Sequence, residues 1–485
     1  MNLPIIIQGG MGVAISDWKL AKAVSQLGQL GVVSGVGISR IVSCRLNDGD
    51  LAGHVRRALS HFALPEPVQA IIDRYYVPSG RDPAEPYKPL VAYSAHPPKF
   101  LDQLTSLANF VEVFLAREGH DGIVGLNLLE KVQMPTLASL YGAMLAGVDY
   151  VLMGAGIPMQ VAGILDKLAN HEPVTYRLDV HGATANDDVR MHFDPEAIFP
   201  GIAKLVGQLK RPKFLPIISS VVLAQALLKR SEGPINGFVI EGPTAGGHNA
   251  PPRGAVKLNE KGEPIYTDKD VVDLEKMKQF GLPFWLAGGY GNPAQVQRAL
   301  DAGAAGVQVG TAFALCEESG MEPSLKQRLL RQVLDEEAEV FTSPTVSPTG
   351  FPFKVAQLEG TLSEQALYEA RPRICDMGFL RILFKKEDGS LGYRCAAEPV
   401  DDYVKKGGQI EDTVGRSCLC NNLGATAGFA QRRKDGYVEE PIITTGDDLV
   451  AAGQYVPAGK TTYSAKDVID YLLNGVKPRQ SLGTA

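Results

Sequence analysis

Apolar residues in this chain gather in short runs, and eight of those runs share one form. They are PIIIQG (Pro4 to Gly9), GVVSGV (Gly31 to Val36), IVGLNL (Ile123 to Leu128), VDYVLMG (Val148 to Gly154), KFLPIIS (Lys213 to Ser219), GFVIE (Gly237 to Glu241), PFWLAG (Pro283 to Gly288) and AGVQVG (Ala305 to Gly310). Runs of this length, rich in Val and Ile and without polar alternation, predict parallel strands buried on both faces. Between them the apolar spacing predicts helices over 17–29, 136–145, 158–169, 221–229, 271–280 and 292–302. The last has Asn292 as cap, Pro293 at the first helical position and Gly303 just past the end, which together mark a start and a stop. Eight strand-helix units predict an α/β fold, a (β/α)8 TIM barrel, with its site on the loops at the carboxyl ends of the strands. A doubly wound sheet is the alternative, because short apolar runs do not fix topology by themselves.

The units are uneven. Long loop insertions are expected at about 44–98, 171–201 and 249–270; the first is Pro-rich and holds a basic helix-like piece over 53–62, and the second carries His181 and His192. Insertions after strands crowd the mouth of a barrel and predict a partial lid. A charged helix over 324–340 and the turn-rich Ser343 to Gly350 predict the end of the barrel domain, 1–355. Residues 356–485 are read as a C-terminal extension of mixed helix and loop, either a cap on the barrel or a homo-oligomer contact.

Composition narrows the function classes. The 485 residues are 45% hydrophobic and 21% charged with a formal net charge of -6, and there is no basic tract, so no nucleic-acid partner is expected. No apolar run approaches the roughly 20 residues of a membrane helix, and the start of the chain lacks a secretory pattern. A cytoplasmic enzyme is the expectation. Its six cysteines, Cys44, Cys316, Cys375, Cys395, Cys418 and Cys420, are then reduced thiols by default. Four of them fall between 375 and 420. Cys375, Cys395, Cys418 and Cys420 could supply four thiolates to zinc or an iron–sulfur cluster, but their spacing lacks a C-x-x-C pair and C-x-C is an uncommon chelate, so four unligated thiols and no metal are the expectation.

Candidate chemistry sits at the strand ends. Leu286-AGGYGNP and Ala305-GVQVGTAF each end a strand in glycine before a helix start, which leaves main-chain N–H groups open to a phosphate; tight turns alone are the competing reading. Gly35-Val36-Gly37 and Gly154-Ala155-Gly156 look like the start of a dinucleotide fingerprint, but Arg40 and Met159 stand where its last glycine belongs, so no Rossmann domain is expected. Gln8-GGMG offers close main-chain approach and a polarizable Met11 to a flat ring. Asn127 stands where a barrel points functional side chains. His248, after Gly246 and Gly247, brings an imidazole that can donate, accept or carry charge near neutral pH.

In this order and spacing, Pro4-IIIQGGMG, Gly125-LNL, Glu241-GPTAGGH, Leu286-AGGYG and Gln308-VGTAF resemble the nitronate monooxygenase family, formerly 2-nitropropane dioxygenases, over about residues 1 to 355. The resemblance implies an FMN-dependent TIM-barrel oxidoreductase that oxidises alkyl nitronates with O2 to a carbonyl compound and nitrite. It implies His248 as the catalytic residue and FMN contacts at Gly10, Met11, Asn127, Glu241, Gly246, Gly247, Gly288, Gly289, Gln308, Gly310 and Thr311. Of these, Gly288, Gly289, Gly310 and Thr311 would hold the phosphate. One departure matters: Glu241 replaces the Gln common in that family and is more similar to FMN-dependent enoyl-acyl carrier protein reductases, which leaves reduction of an enoyl thioester by NAD(P)H as the alternative.

Overall fold

A computed structural model describes residues 3–184 and 186–477. Its centre is an eight-stranded sheet whose neighbouring strands all pair in parallel. The strands are β1 (Ile6–Gln8), β2 (Gly31–Ser34), β3 (Val124–Leu129), β4 (Tyr150–Gly154), β5 (Lys213–Ile218), β6 (Phe238–Glu241), β7 (Phe284–Ala287) and β8 (Gly306–Val309). β1 pairs with β8 on one side, Ile7 opposite Gln308. On the other side Gln8 N donates to Leu30 O at 2.9 Å and Leu30 N to Ile6 O at 3.1 Å, which closes the sheet. A barrel has no sheet edge to protect, and this one is the (β/α)8 TIM barrel read from the eight apolar runs.

Side-chain alternation sorts the core into two layers. Ile7, Leu30, Val32, Tyr150, Leu152, Leu215, Val239, Trp285 and Ala287 form one buried cluster, the filling of the barrel interior. Their neighbours along the strands, such as Ile6, Val33, Val151, Phe214, Phe238, Leu286 and Val307, belong to the larger cluster that seats the helices.

The helices match the spacing with instructive exceptions. The helix over Thr136–Leu145 has the expected bounds, and Pro293–Asp301 carries Asn292 as its cap, accepting from Gln295 N. The 271–280 expectation shrinks to Leu274–Lys278, and 158–169 begins at Val161. The 324–340 helix runs only over Pro323–Leu334, because Glu336 takes a left-handed φ of 60°; Val340–Ser343 then pairs antiparallel with Phe353–Ala356. The periodicity did not announce Lys99–Arg117, the helix that joins β2 to β3. Fourteen of its nineteen residues are buried, and its polar stripe of Asp102, Thr105, Ser106, Asn109 and Glu112 is itself among them, so the polar side faces inward against the usual pattern. Glu112 accepts from Trp18 N at 2.9 Å and pairs with Arg45, which also reaches Asp17 at 3.2 Å.

Insertions and extension interlock over the carboxyl ends of the strands. In the second insertion Val174–Arg177 pairs with Arg190–Phe193, and Val180–His181 adds to the hairpin Ile382–Lys385/Leu391–Arg394 of the extension. Ala185 lies outside the described residues, as do 478–485. Among the described residues no helix is long and apolar enough to cross a membrane.

Candidate functional site

Glycine-ended strands produce a common cavity. A cavity of about 200 Å³ opens at the carboxyl ends of the strands, and Gly10, Met11, Asn127, Glu241, Gly246, Gly247, His248, Gly288, Gly289, Gln308, Gly310 and Thr311 all line it. Parallel strands closed into a ring must bring the residues just past their ends to one mouth, which is why positions scattered over three hundred residues converge. At Gly10 the fit is steric: a Cβ there would lie 2.2 Å from Asn127 Cβ, so only glycine lets the first loop lie against β3. Gly288 and Gly289 take φ of 91° and 76°, a pair of left-handed residues that other side chains resist.

Three polar atoms of the wall are buried with no partner among the described residues: Ser34 Oγ, Gln308 Oε1 and Thr445 Oγ1. A buried orphan costs roughly 1–3 kcal/mol unless a ligand or water satisfies it, so three along one cavity mark a polar-edged ligand site.

His248 is fixed from outside the barrel. An antiparallel bridge joins it to Phe353, Lys354 N donates to Gly247 O at 3.1 Å, and Asn249 N donates to Pro352 O at 2.9 Å. Its Nε2 meets Ser347 Oγ at 2.7 Å, Ser347 Oγ meets Thr349 Oγ1 at 2.8 Å, and Arg416 holds the Ser347 carbonyl at 2.5 Å. Among the described residues Nδ1 has no hydrogen-bond partner. Burial lowers the His248 pKa to about 4, so the ring is neutral at ordinary pH. The same desolvation raises Glu241 to about 8, which keeps its carboxyl protonated near neutrality and able to donate a hydrogen bond.

Sequence reading missed the part of the wall that the extension supplies. Thr444, Thr445, Gly446, Asp448 and Leu423 line the cavity with Tyr290 and Phe353. Gly247 N donates to Thr444 Oγ1 at 2.9 Å, and Gly446 N donates to Thr311 Oγ1 at 2.8 Å. A Cβ at Gly246 would meet Thr445 C at 2.7 Å, which explains that glycine by the segment of extension laid across it. Burial raises the Asp448 carboxyl, and a hydrogen bond with Thr311 partly offsets the shift. The turn residues Thr444 to Gly446 carry no motif.

Fold and site together define a glycine-walled barrel cavity with one histidine at its mouth, closed by a C-terminal strap. Residues 204–346 match the family model described as Nitronate monooxygenase, so the resemblance seen in the motifs is shown for β5 through the start of the 340–356 hairpin. A "Probable nitronate monooxygenase" of Bacillus subtilis (strain 168) is 34% identical over 125 residues, 26% of this chain and 34% of that protein. A 5-hydroxy-7a-methyl-1-oxo-octahydro-1H-indene-4-carboxyl-CoA dehydrogenase of Mycobacterium tuberculosis is 25% identical over 232 residues, 45% of this chain and 60% of that protein. The chain thus spans about a third of the first relative's length and three fifths of the second's. Among solved structures, FabK from Thermotoga maritima superposes with a TM-score of 0.46 at 15% identity, covering 97% of this chain and 92% of that one.

Proposed function

We propose that this chain is a flavin-dependent oxidoreductase that holds FMN in the barrel-mouth cavity and oxidises alkyl nitronates with O2 to a carbonyl compound and nitrite. The observation that carries this reading is the convergence of twelve motif residues on one cavity whose wall leaves Ser34 Oγ, Gln308 Oε1 and Thr445 Oγ1 unpartnered. Those residues fit the cofactor. Gly10, Met11 and Asn127 offer clearance and a soft contact to a flat ring, Gln308 and Ser34 offer hydrogen bonds to a polar ring edge, and Gly288, Gly289, Gly310 and Thr311 would hold the phosphate. The flavin, when bound, supplies the electron chemistry.

The protein's part is positioning and proton control. With Nε2 tied to Ser347, His248 presents Nδ1 as its unengaged nitrogen. A ring kept neutral by burial acts as a hydrogen-bonding or basic group toward the substrate, taking a proton from the carbon of a neutral nitroalkane or orienting a nitronate; stabilisation by a standing imidazolium charge is disfavoured. Phe353, stacked edge-on to His248 at 4.9 Å, helps exclude water from that face. H248N is expected to retain flavin and to lower nitrite formation by about 100-fold or more, the usual weight of a positioned acid or base. Unchanged nitrite release with bound flavin contradicts the assignment.

Glu241 supports the second reading. A carboxyl kept protonated up to about pH 8 is a donor suited to a neutral carbonyl such as an enoyl thioester, and the mycobacterial relative is named for a CoA compound. Anaerobic mixing with NADPH separates the two: rapid bleaching of the flavin supports the reductase, and bleaching only by a nitronate supports the oxidase.

A further inference from the structure

Behind His248, on the side away from the cavity, two hydroxyl groups stand in line. Nε2 of the ring meets Ser347 Oγ at 2.7 Å, and Ser347 Oγ meets Thr349 Oγ1 at 2.8 Å. His248 lines the cavity, whereas neither Ser347 nor Thr349 is among its described wall residues. Ser347 is fully buried; Thr349 is partly exposed and is followed by the exposed Gly350, so the line leads from the cavity to the surface. The turn that carries it is pinned. Arg416 donates to Thr345 O at 2.6 Å and to Ser347 O at 2.5 Å, Gly350 N donates to Ser347 O at 3.2 Å, and Ser417 N donates to Val346 O at 2.9 Å.

Hydrogens can be placed along this line in two ways. Thr349 N donates to Ser347 Oγ at 3.3 Å and Phe351 N to Thr349 Oγ1 at 3.4 Å, so each hydroxyl oxygen has one lone pair left and one hydrogen to place. In the first arrangement Nε2–H donates to Ser347, Ser347 donates to Thr349, and Nδ1 faces the cavity with a lone pair. In the second Thr349 donates to Ser347, Ser347 donates to Nε2, and Nδ1 faces the cavity carrying the hydrogen. We propose that Ser347 and Thr349 are a proton relay that switches His248 between these two arrangements, so that one buried ring serves first as base and then as hydrogen-bond donor. Both are positioning residues, acting on the substrate only through His248.

The relay rests on the nitronate-oxidising reading and gives the ring its part in accepting a neutral nitroalkane. The carbon–hydrogen bond breaks, its electron pair forms the C=N bond of the nitronate as the nitro group takes up the negative charge, and the proton goes to Nδ1. Nε2–H passes to Ser347 Oγ, the Ser347 hydrogen to Thr349 Oγ1, and the Thr349 hydrogen to a water at the surface. One proton enters and one leaves, so no charge stays on the ring. The nitronate is left with Nδ1–H as a donor to one of its oxygens. Without the relay the same step leaves an imidazolium where burial lowers the His248 pKa to about 4. Among the described residues no carboxylate is paired with the ring to offset that cost, and a hydroxyl line removes the proton where no counter-charge holds it.

The test compares nitroethane with its preformed nitronate as substrates of the flavin-loaded full chain, because only the neutral form has a proton to give up. T349V keeps the shape of the side chain and removes its hydroxyl; it should lower the ratio of nitroethane to nitronate turnover by about tenfold or more. T349S should return that ratio to the parent's, and S347A should lower it at least as far as T349V. In D2O without oxygen, T349V and S347A should also slow the protein-catalysed exchange of the nitroethane α-hydrogen for deuterium, read by proton NMR independently of oxidation. Equal losses on both substrates, or exchange in T349V as fast as in the parent, overturn the relay and leave the oxidase reading standing. A flavin-loaded parent that releases nitrite from neither substrate overturns the oxidase reading and the relay with it.

Discussion

At the scale of single residues the cavity is a contest between burial and ionisation. Glu241 shows the sign of the effect. Below about pH 4.5 its carboxyl is protonated whether or not the chain is folded; between 4.5 and about 8 the unfolded chain gives up a proton that the folded chain retains. Native stability therefore falls as pH rises through that window. E241Q removes the dependence, and its stability relative to the parent should rise by ~2 kcal/mol between pH 4.5 and pH 8, less than the full shift would give because the side chain is only partly buried. Urea unfolding at the two pH values measures it, and a pH-independent difference would refute a Glu241 that stays protonated in the folded chain. Asp448 makes a second case. Its carboxyl shares the Thr311 corner with the glycines that would hold the FMN phosphate. D448N should tighten FMN by about tenfold, roughly 1.4 kcal/mol, read from quenching of flavin fluorescence; weaker binding would mean that Asp448 supports the phosphate corner and does not oppose it.

At the scale of elements, local signals and packing contributed unequally. Asn292-Pro293 and Gly303 marked a helix because capping is a short-range matter, and the structure has it. Lys99–Arg117 is the opposite case: its polar stripe of Asp102, Thr105, Ser106, Asn109 and Glu112 is buried, and only tertiary partners such as Trp18 N and Arg45 on Glu112 make that placement stable. Its fit against Thr136–Leu145 is close enough that a Cβ at Gly142 would lie 1.9 Å from Ser106 O. G142A is therefore expected to destabilise the fold by ~2 kcal/mol or more through overpacking, although alanine is the better helix former; a rise in melting temperature would contradict that packing. The sequence pattern over the hairpin Val340–Ser343/Phe353–Ala356 predicts a helix end and a turn. The hairpin is the element that carries Ser347 and Phe353 to His248, and nothing in Ser343 to Gly350 names His248 as its partner, because the contact spans about a hundred residues of chain.

At the scale of the whole molecule the extension completes the cavity, with Thr444 on Gly247 and Gly446 on Thr311. G446V, whose added Cβ would lie 2.8 Å from Thr244 O and 3.0 Å from Thr311 Oγ1, should keep the circular dichroism of the parent and purify with less flavin; an equally yellow variant would show that the strap's close approach is dispensable. The sequence alone determined eight buried strands and the motif half of the wall, while closure of those strands into a ring, and not a doubly wound sheet, was decided by the pairing of β1 with β8 and the Gln8–Leu30 bonds. Strand burial is written as apolar runs, close approach as glycine, and a ring of parallel strands gathers the residues just past each strand end at a single mouth. Tertiary structure alone decided what holds His248 and what lies over the phosphate corner. Those depend on contacts between segments far apart in the chain, and such contacts arise from packing and charge balance in three dimensions, with no period or spacing to announce them.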